Sequence, residues 1–220
     1  MPPLSTFSLP LSALPAEYGW IDRDYSELAT TTDFNTGIDE RDTFLGARAC
    51  VICGNTTSLR RCHIIPAEER ETWSNLRARG WIPQQAEKHP NLEPRNGMIM
   101  CVDHQLAFNA KHFFVRFVPD TRRFVFINYS ENPSLQPFHG KAIALDINHR
   151  HAPFPSLCII HELRVRGFNP FKLQPIVTVT PDDSPWQDWI MSNGVFNNDS
   201  GTFNRSIPPP PDTTAISAPG

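Results

Sequence analysis

Four residues stand out by type and spacing. Cys50 and Cys53 form a C-x2-C pair in "CVICG", and Cys101 and His104 form a C-x2-H pair, with 47 residues between the pairs. Each pair sets two donors within reach of one ion, and three thiolates with one imidazole make a tetrahedral zinc site. Taken singly, each cysteine would read as a small buried apolar residue, and His104 as a solvated helix residue. The matched half-sites argue for a shared metal instead. A second kind of chemistry is offered by His63 in "RRCHIIP". Its imidazole titrates near neutrality and can accept a proton from water. The plainer reading is a strand-end histidine bonded to backbone. Cys62 precedes it, but neighbours on a strand point to opposite faces, so a direct Cys62–His63 couple is not expected.

These residues need elements to hold them. "IDERDTFLGAR" (38–48) reads as a short helix leading into the first cysteine pair, and Gly54 allows the turn that follows it. "SLRRCHII" reads as a strand stopped by Pro66. "AEERETWSNLRARGW" (67–81) has helical composition with Gly80 as its C-cap, and "IPQQAEKHPNLEPR" reads as loop. "GMIMC" is a short apolar strand. "VDHQLAFNAK" is expected as a helix with Val102, Leu106 and Asn109 on one face. "HFFVRFVP" and "RRFVFINY" alternate Phe113, Val115 and Phe117 with Arg116, and Phe124 and Phe126 with Val125 and Ile127. With "DT" between them they predict a hairpin whose aromatics are core rather than a base-stacking platform. "GKAIALDI" is a further strand candidate, and "PSLCIIHELRVRG" (155–167) reads as a helix. The stretch "SIPPPPDTTAISAPG" is expected to be extended or disordered. "NHRH" (148–151) reads as a solvated loop before a metal or phosphate contact, His161 as a core-edge residue, and the tryptophans as packing residues.

Composition narrows the class. Among 220 residues there are 22 prolines, which points to many irregular connections, and no apolar run approaches the ~18 residues that would span a bilayer. The start lacks a basic n-region, so no secretory signal is expected. Four of the five cysteines fall between residues 50 and 101. That clustering suits metal or free thiols in an intracellular setting, cytoplasm or nucleus, better than a disulfide framework. Net charge is −3, but residues 60–172 carry 16 Lys/Arg against 10 Asp/Glu, between acidic ends. A basic middle can meet phosphates locally. Arg60, Arg61 and Arg95 are its nearest candidates to the histidine motif.

The order C-x2-C, then Cys62-His63-Ile64-Ile65-Pro66, then Asn96-Gly97, then Cys101-x2-His104 resembles the HNH endonuclease family. Within it, the resemblance is to fungal-type proteins whose hallmark is HIxP … NGxxLCxxHHxxFD. It spans roughly residues 38–170 and takes in the Phe-rich hairpin and a late HGK … HELRVR segment. The resemblance implies an α+β protein: a zinc-stapled ββα-metal module with an additional β-hairpin and flanking helices. It divides the chain into an N-terminal extension (1–40), the HNH-like domain (41–172) and a C-terminal extension with a Pro-rich, disordered tail (173–220). It also implies metal-dependent hydrolysis of nucleic-acid phosphodiesters, DNA before RNA. His63 would be the general base, with Asn96 either ligating a catalytic divalent ion (Mg, Mn or Zn) or tying down the loop that aims the histidine. Three positions depart from the family pattern. Cys62 stands where an acid or histidine ligand is usual, Gln105 where a last histidine is usual, and Asn109 where an aspartate is usual. Cys62, Gln105 and Asn109 are then weak helpers for a catalytic ion. His104 cannot easily serve both ions: the symmetry of C-x2-H with C-x2-C favours the structural zinc, and the alternative, a role at the catalytic ion, would leave the structural site three thiolates. Two other functions stay open: a zinc-stabilised binding module without hydrolysis, and an HNH-like scaffold recruited to small-molecule chemistry.

Overall fold

The computed structural model describes residues 13–15, 18, 33–167 and 184–207. Helix α1 (Phe34–Arg41) comes first and buries Phe34, Gly37, Ile38 and Arg41, the spacing of a single helical stripe. The expected helix over 38–48 stops at Arg41. The chain then turns into two-residue strands β1 (Thr43–Phe44) and β2 (Ala47–Arg48), because Leu45 and Gly46 take positive φ, a tight reversal that a helix cannot contain.

Strand β3 (Leu59–His63) pairs antiparallel with β4 (Gly97–Cys101), placing His63 opposite Gly97, Arg61 opposite Ile99 and Leu59 opposite Cys101. Helix α2 (Arg70–Ala78) lies between them in sequence and buries Trp73 and Leu76. It ends where Gly80 adopts φ +70° and the Trp81 N–H reaches back to the Leu76 carbonyl, the left-handed cap expected of glycine. Helix α3 (Val102–Asn109) follows β4 directly and packs on β3 and β4. Together these form a strand–strand–helix unit.

The inner face of α3 differs from expectation. His104 and Phe108 are buried, while Leu106 is 61% exposed. The face is set by which residue must reach the cysteines, and His104 rotates the helix away from the Val102–Leu106 stripe.

Strands β5 (Phe113–Val118) and β6 (Arg123–Asn128) form the expected hairpin. Phe113, Val115, Phe117, Phe124 and Phe126 join the main core. The opposite side, with Phe114, Val125 and Ile127, is covered by Val165 of α4 (Pro155–Gly167). Arg116 is buried there because Glu162 of α4 pairs with it at 2.7 Å. "GKAIALDI" is not a full strand. It runs beside β6 with a single bridge, Val125 to Ala142, and Ala142 bridges onward to Trp186. The segment 184–207 carries α5 (Asp188–Ser192), β7 (Phe196–Asn197) and β8 (Thr202–Phe203). It joins the core through Trp189, whose indole N–H donates to the Ile52 carbonyl, and through backbone bonds from Leu45 and Gly46 to Asn204 and Arg205. The packed body therefore extends past both divisions expected at 41 and 172. Most of 1–32 and 168–183, and the tail after 207, lie outside the described residues.

Candidate metal centre and the His63 face

The first cysteine pair sits on a turn closed by the Gly54 N–H on the Cys50 carbonyl and the Cys50 N–H on the Asn55 carbonyl. Gly54 has φ +75°, and a Cβ there would collide with the Trp189 indole. Val51 donates to the Ile99 carbonyl, docking this turn on β4. The second pair straddles the β4–α3 junction. Cys101 Sγ lies 3.1 Å from His104 Nδ1, Cys50 Sγ lies 3.6 Å from the same nitrogen, and the Cys53 and Cys101 sulfurs are 3.9 Å apart. All four ligand atoms fall within 4.8 Å of one another, so the group could hold a metal ion. The His104 ring is walled edge-on by Phe113, Phe126 and Phe138, so the aromatic stripe fixes its orientation.

Such crowding is unfavourable for free thiolates. Burial and the neighbouring Cys101 and Cys53 push the Cys50 thiol far above its usual range, while hydrogen bonds from Cys50 and Cys53 hold Cys101 far below it. Burial alone would lower His104, but Cys101 and Cys53 outweigh it and raise the imidazole to about 9. A cation bound at this point satisfies all four groups. A cavity of about 630 Å³ opens beside the cluster, lined by Cys53, His104 and Leu106 among others. Cys53 is the one ligand of the four that is not fully buried.

His63 ends β3 on the face shared with Leu59 and Arg61. Its ring lies flat on Phe34 of α1, with centroids 4.1 Å apart and planes 5° apart. Burial lowers its pKa, against the Asn91 backbone and the Glu68 carboxylate, which favour the charged ring. Its Nε2 is covered and has no hydrogen-bond partner. Helix α1 can come this close because residue 97 is glycine: a Cβ there would stand 2.7 Å from Ile38 Cδ1 and 2.8 Å from Phe34 Cζ.

Asn96 is fully buried, and its amide is committed to the protein. Oδ1 accepts the Ile65 N–H at 2.9 Å, and Nδ2 donates to the Ile65 and Pro90 carbonyls at 2.9 and 3.0 Å. Of the two expected roles, these bonds serve the second, tying the loop after His63. Asn96→Ala should cost about 2–3 kcal/mol in urea unfolding, since it leaves buried backbone groups unpaired. Asn109→Ala, on the exposed end of α3, should shift stability by less than about 0.5 kcal/mol. Equal, small effects would mean the Asn96 bonds do not hold the loop.

The remaining expected site residues separate. Cys62 faces the core, with its thiol toward the Arg60 carbonyl at 3.6 Å, and burial pushes it up to about 12. Gln105 is half-buried on α3 and Asn109 is exposed. Arg95 does not reach solvent as expected. It is 5% exposed, pairs with Glu93 at 2.6 Å and donates to the Arg150 carbonyl at 3.0 Å. A guanidinium this deep is kept by its partners inside the fold, so it offers nothing to a phosphate. Arg61 pairs with Asp39 of α1, and Arg60 is exposed with one bond to the Leu59 carbonyl.

The two histidines of the "NHRH" loop are withdrawn from solvent, while Asn148 and Arg150 are exposed. His151 is 2% exposed, and its Nε2 stands 3.5 Å from a Glu40 oxygen. His161 is buried deeper than a core edge, stacked on Phe108 at 3.8 Å. Sequence reading missed Phe34, Asp39 and Arg41, which bring α1 onto the His63 face. Their helical spacing was the available signal, but nothing in it names a partner.

Residues 50–116 match the family model described as HNH endonuclease. No curated protein and no solved structure matches the chain.

Proposed function

Starting from the HNH endonuclease match of residues 50–116, we propose that this protein hydrolyses nucleic-acid phosphodiester bonds, with His63 as general base. DNA is the favoured substrate, and the setting is intracellular. The observation that carries the reading is the His63 imidazole itself. It sits in the matched segment, its lowered pKa keeps it neutral at pH 7, and its Nε2 is not engaged by the protein. That uncommitted nitrogen is covered, so it takes the proton of an attacking water only once its cover opens. The strand–strand–helix unit is then the ββα-metal core, and the Cys50–Cys53–Cys101–His104 group is its structural zinc staple. Zinc there would lock the β4–α3 junction to the first cysteine turn.

The family resemblance also implies a divalent ion beside His63, and the expected ligands do not suit one. The Asn96 amide is saturated by three loop bonds, Cys62 is a buried thiol, and Gln105 and Asn109 offer neutral amides. These same commitments, with Phe34 over the His63 ring, favour a second reading: a zinc-stabilised nucleic-acid-binding module without hydrolysis.

A plasmid-nicking assay with Mg, Mn, Co and Zn, run beside His63→Ala, separates the two. Nicking by the wild type and a loss of about 10²–10⁴-fold in the variant is the expected result. The acid limb of its pH profile should lie below pH 6.5, because the base must be neutral and burial lowers its pKa. Nicking unchanged in His63→Ala removes His63 from the chemistry. Binding without nicking under any metal selects the second reading.

A further inference from the structure

A cleft of about 250 Å³ lies beside the first cysteine turn, lined by Arg48, Arg60 and Arg61 with the hydroxyl residues Thr56 and Ser58. Its floor is the outer end of β3 and β4. Asp39 of α1 does not line the cleft but stands against two of its arginines. Arg61 grips Asp39 in a fork, Nε to Oδ1 at 2.8 Å and Nη2 to Oδ2 at 2.5 Å, and Arg48 Nη1 adds a third bond at 3.1 Å. Three guanidinium groups against one carboxylate leave the cleft cationic. The side chains are open to solvent: Arg48 is 53% and Arg61 32% exposed. Two arginines converging on the oxygens of one oxyanion is the geometry that also takes a phosphate.

Position matters as much as charge. Arg61 and His63 are two residues apart on one strand, so they share a face about 7 Å apart. Helix α1 lies along that face and touches both points, with Phe34 on the His63 ring and Asp39 on Arg61. Five residues of helix advance about 7.5 Å, which matches the strand spacing. The helix thus covers the base and the arginines together.

We propose that this cleft is a phosphate subsite for the nucleic-acid backbone, next to the scissile position at His63, and that the Asp39 carboxylate holds Arg48 and Arg61 until a backbone phosphate competes for them. The proposal rests on the nuclease reading and adds where the strand lies and what holds its place. Arg60 makes no ion pair among the described residues, and Arg48 makes one exposed pair with Asp39. Among the described residues Arg60 bonds only the carbonyl of its chain neighbour and Arg48 only Asp39, so both can be replaced without disturbing the core. Asp39→Asn removes the competing charge.

The test is fluorescence anisotropy of a labelled oligonucleotide duplex with the full, zinc-loaded chain in buffer without chelator or added divalent ions, across a salt series. Arg48→Ala/Arg60→Ala should weaken binding about tenfold and flatten the log–log salt slope by about 1.8, as two lost phosphate contacts require. Asp39→Asn should bind several-fold tighter than wild type. Wild-type binding with affinity and slope unchanged in the double variant overturns the cleft and leaves the nuclease reading standing. Absence of binding by the wild type overturns both. Inorganic phosphate, added at matched ionic strength, should compete no better than chloride; selective displacement by it would reassign the cleft to a free anion and overturn the backbone assignment.

Discussion

Cys101→Ala is expected to abolish metal binding at the four-residue group and to cost about 5 kcal/mol of stability. Cys101 is the last residue of β4 and the N-cap of α3, and its sulfur is the closest to His104 Nδ1 at 3.1 Å. Without it, two thiols and an imidazole face a buried gap at the point where strand, helix and first cysteine turn meet. Binding energy at a structural metal is folding energy. For a chain of this size, about 5 kcal/mol corresponds to a fall in Tm of about 10–20 °C. Elemental analysis should find one zinc per chain in the wild type and almost none in the variant, and a strong chelator should bring the wild type to the same Tm. Cys62→Ala is the control. Its thiol belongs to the core, so it should keep full zinc and lose only the about 1–2 kcal/mol of a small cavity. If Cys101→Ala kept its zinc and its Tm, the four-residue centre would be wrong; if Cys62→Ala lost zinc, the ligand set would need redrawing.

Arg41→Ala is expected to destabilise by about 3–5 kcal/mol in urea unfolding, although the residue touches neither the metal group nor His63. Arg41 and Asp42 are both fully buried and joined by two bonds at 2.6 and 2.8 Å. The guanidinium also donates to the carbonyls of His151 and Gly97, each at 2.8 Å, and the Asp42 carboxylate accepts the Ile99 N–H at 2.8 Å. One ion pair therefore joins α1, β4 and the 148–151 loop. Removing the cation alone strands a carboxylate in the core. Replacing both partners by apolar residues, Arg41→Met with Asp42→Leu, should cost less than the single change, because no unpaired charge remains. A single-variant loss below about 1 kcal/mol would show that the pair is not what holds α1. Loosening α1 also frees Phe34 from His63, so partial-unfolding conditions should expose the imidazole to carbethoxylation first in this variant.

The convergence of the four residues that could hold a metal was legible because chelation is local. Two donors three positions apart can meet one ion whatever the rest of the chain does, so "CVICG" and "CVDH" carry their chemistry in their spacing. The same is true of β3, α2, β4, the β5–β6 hairpin and α4, where caps, turns and periodicity act within a few residues. His63 is different. Its place at the end of a strand could be read, but its surroundings come from Phe34 and Asn91, and its lowered pKa from burial that outweighs the Asn91 backbone bond. Arg95 and Arg61 looked alike as basic residues near a motif. One was drawn inside by Glu93 and Arg150, the other was left at the surface in the grip of Asp39. Leu106 fitted a helical stripe yet points outward, since the need of His104 to reach the sulfurs turns α3. Spacing along the chain sets what a short segment can do. Which charge is buried, which face turns in, and what covers a reactive ring depend on partners tens of residues away, brought close only when the core packs.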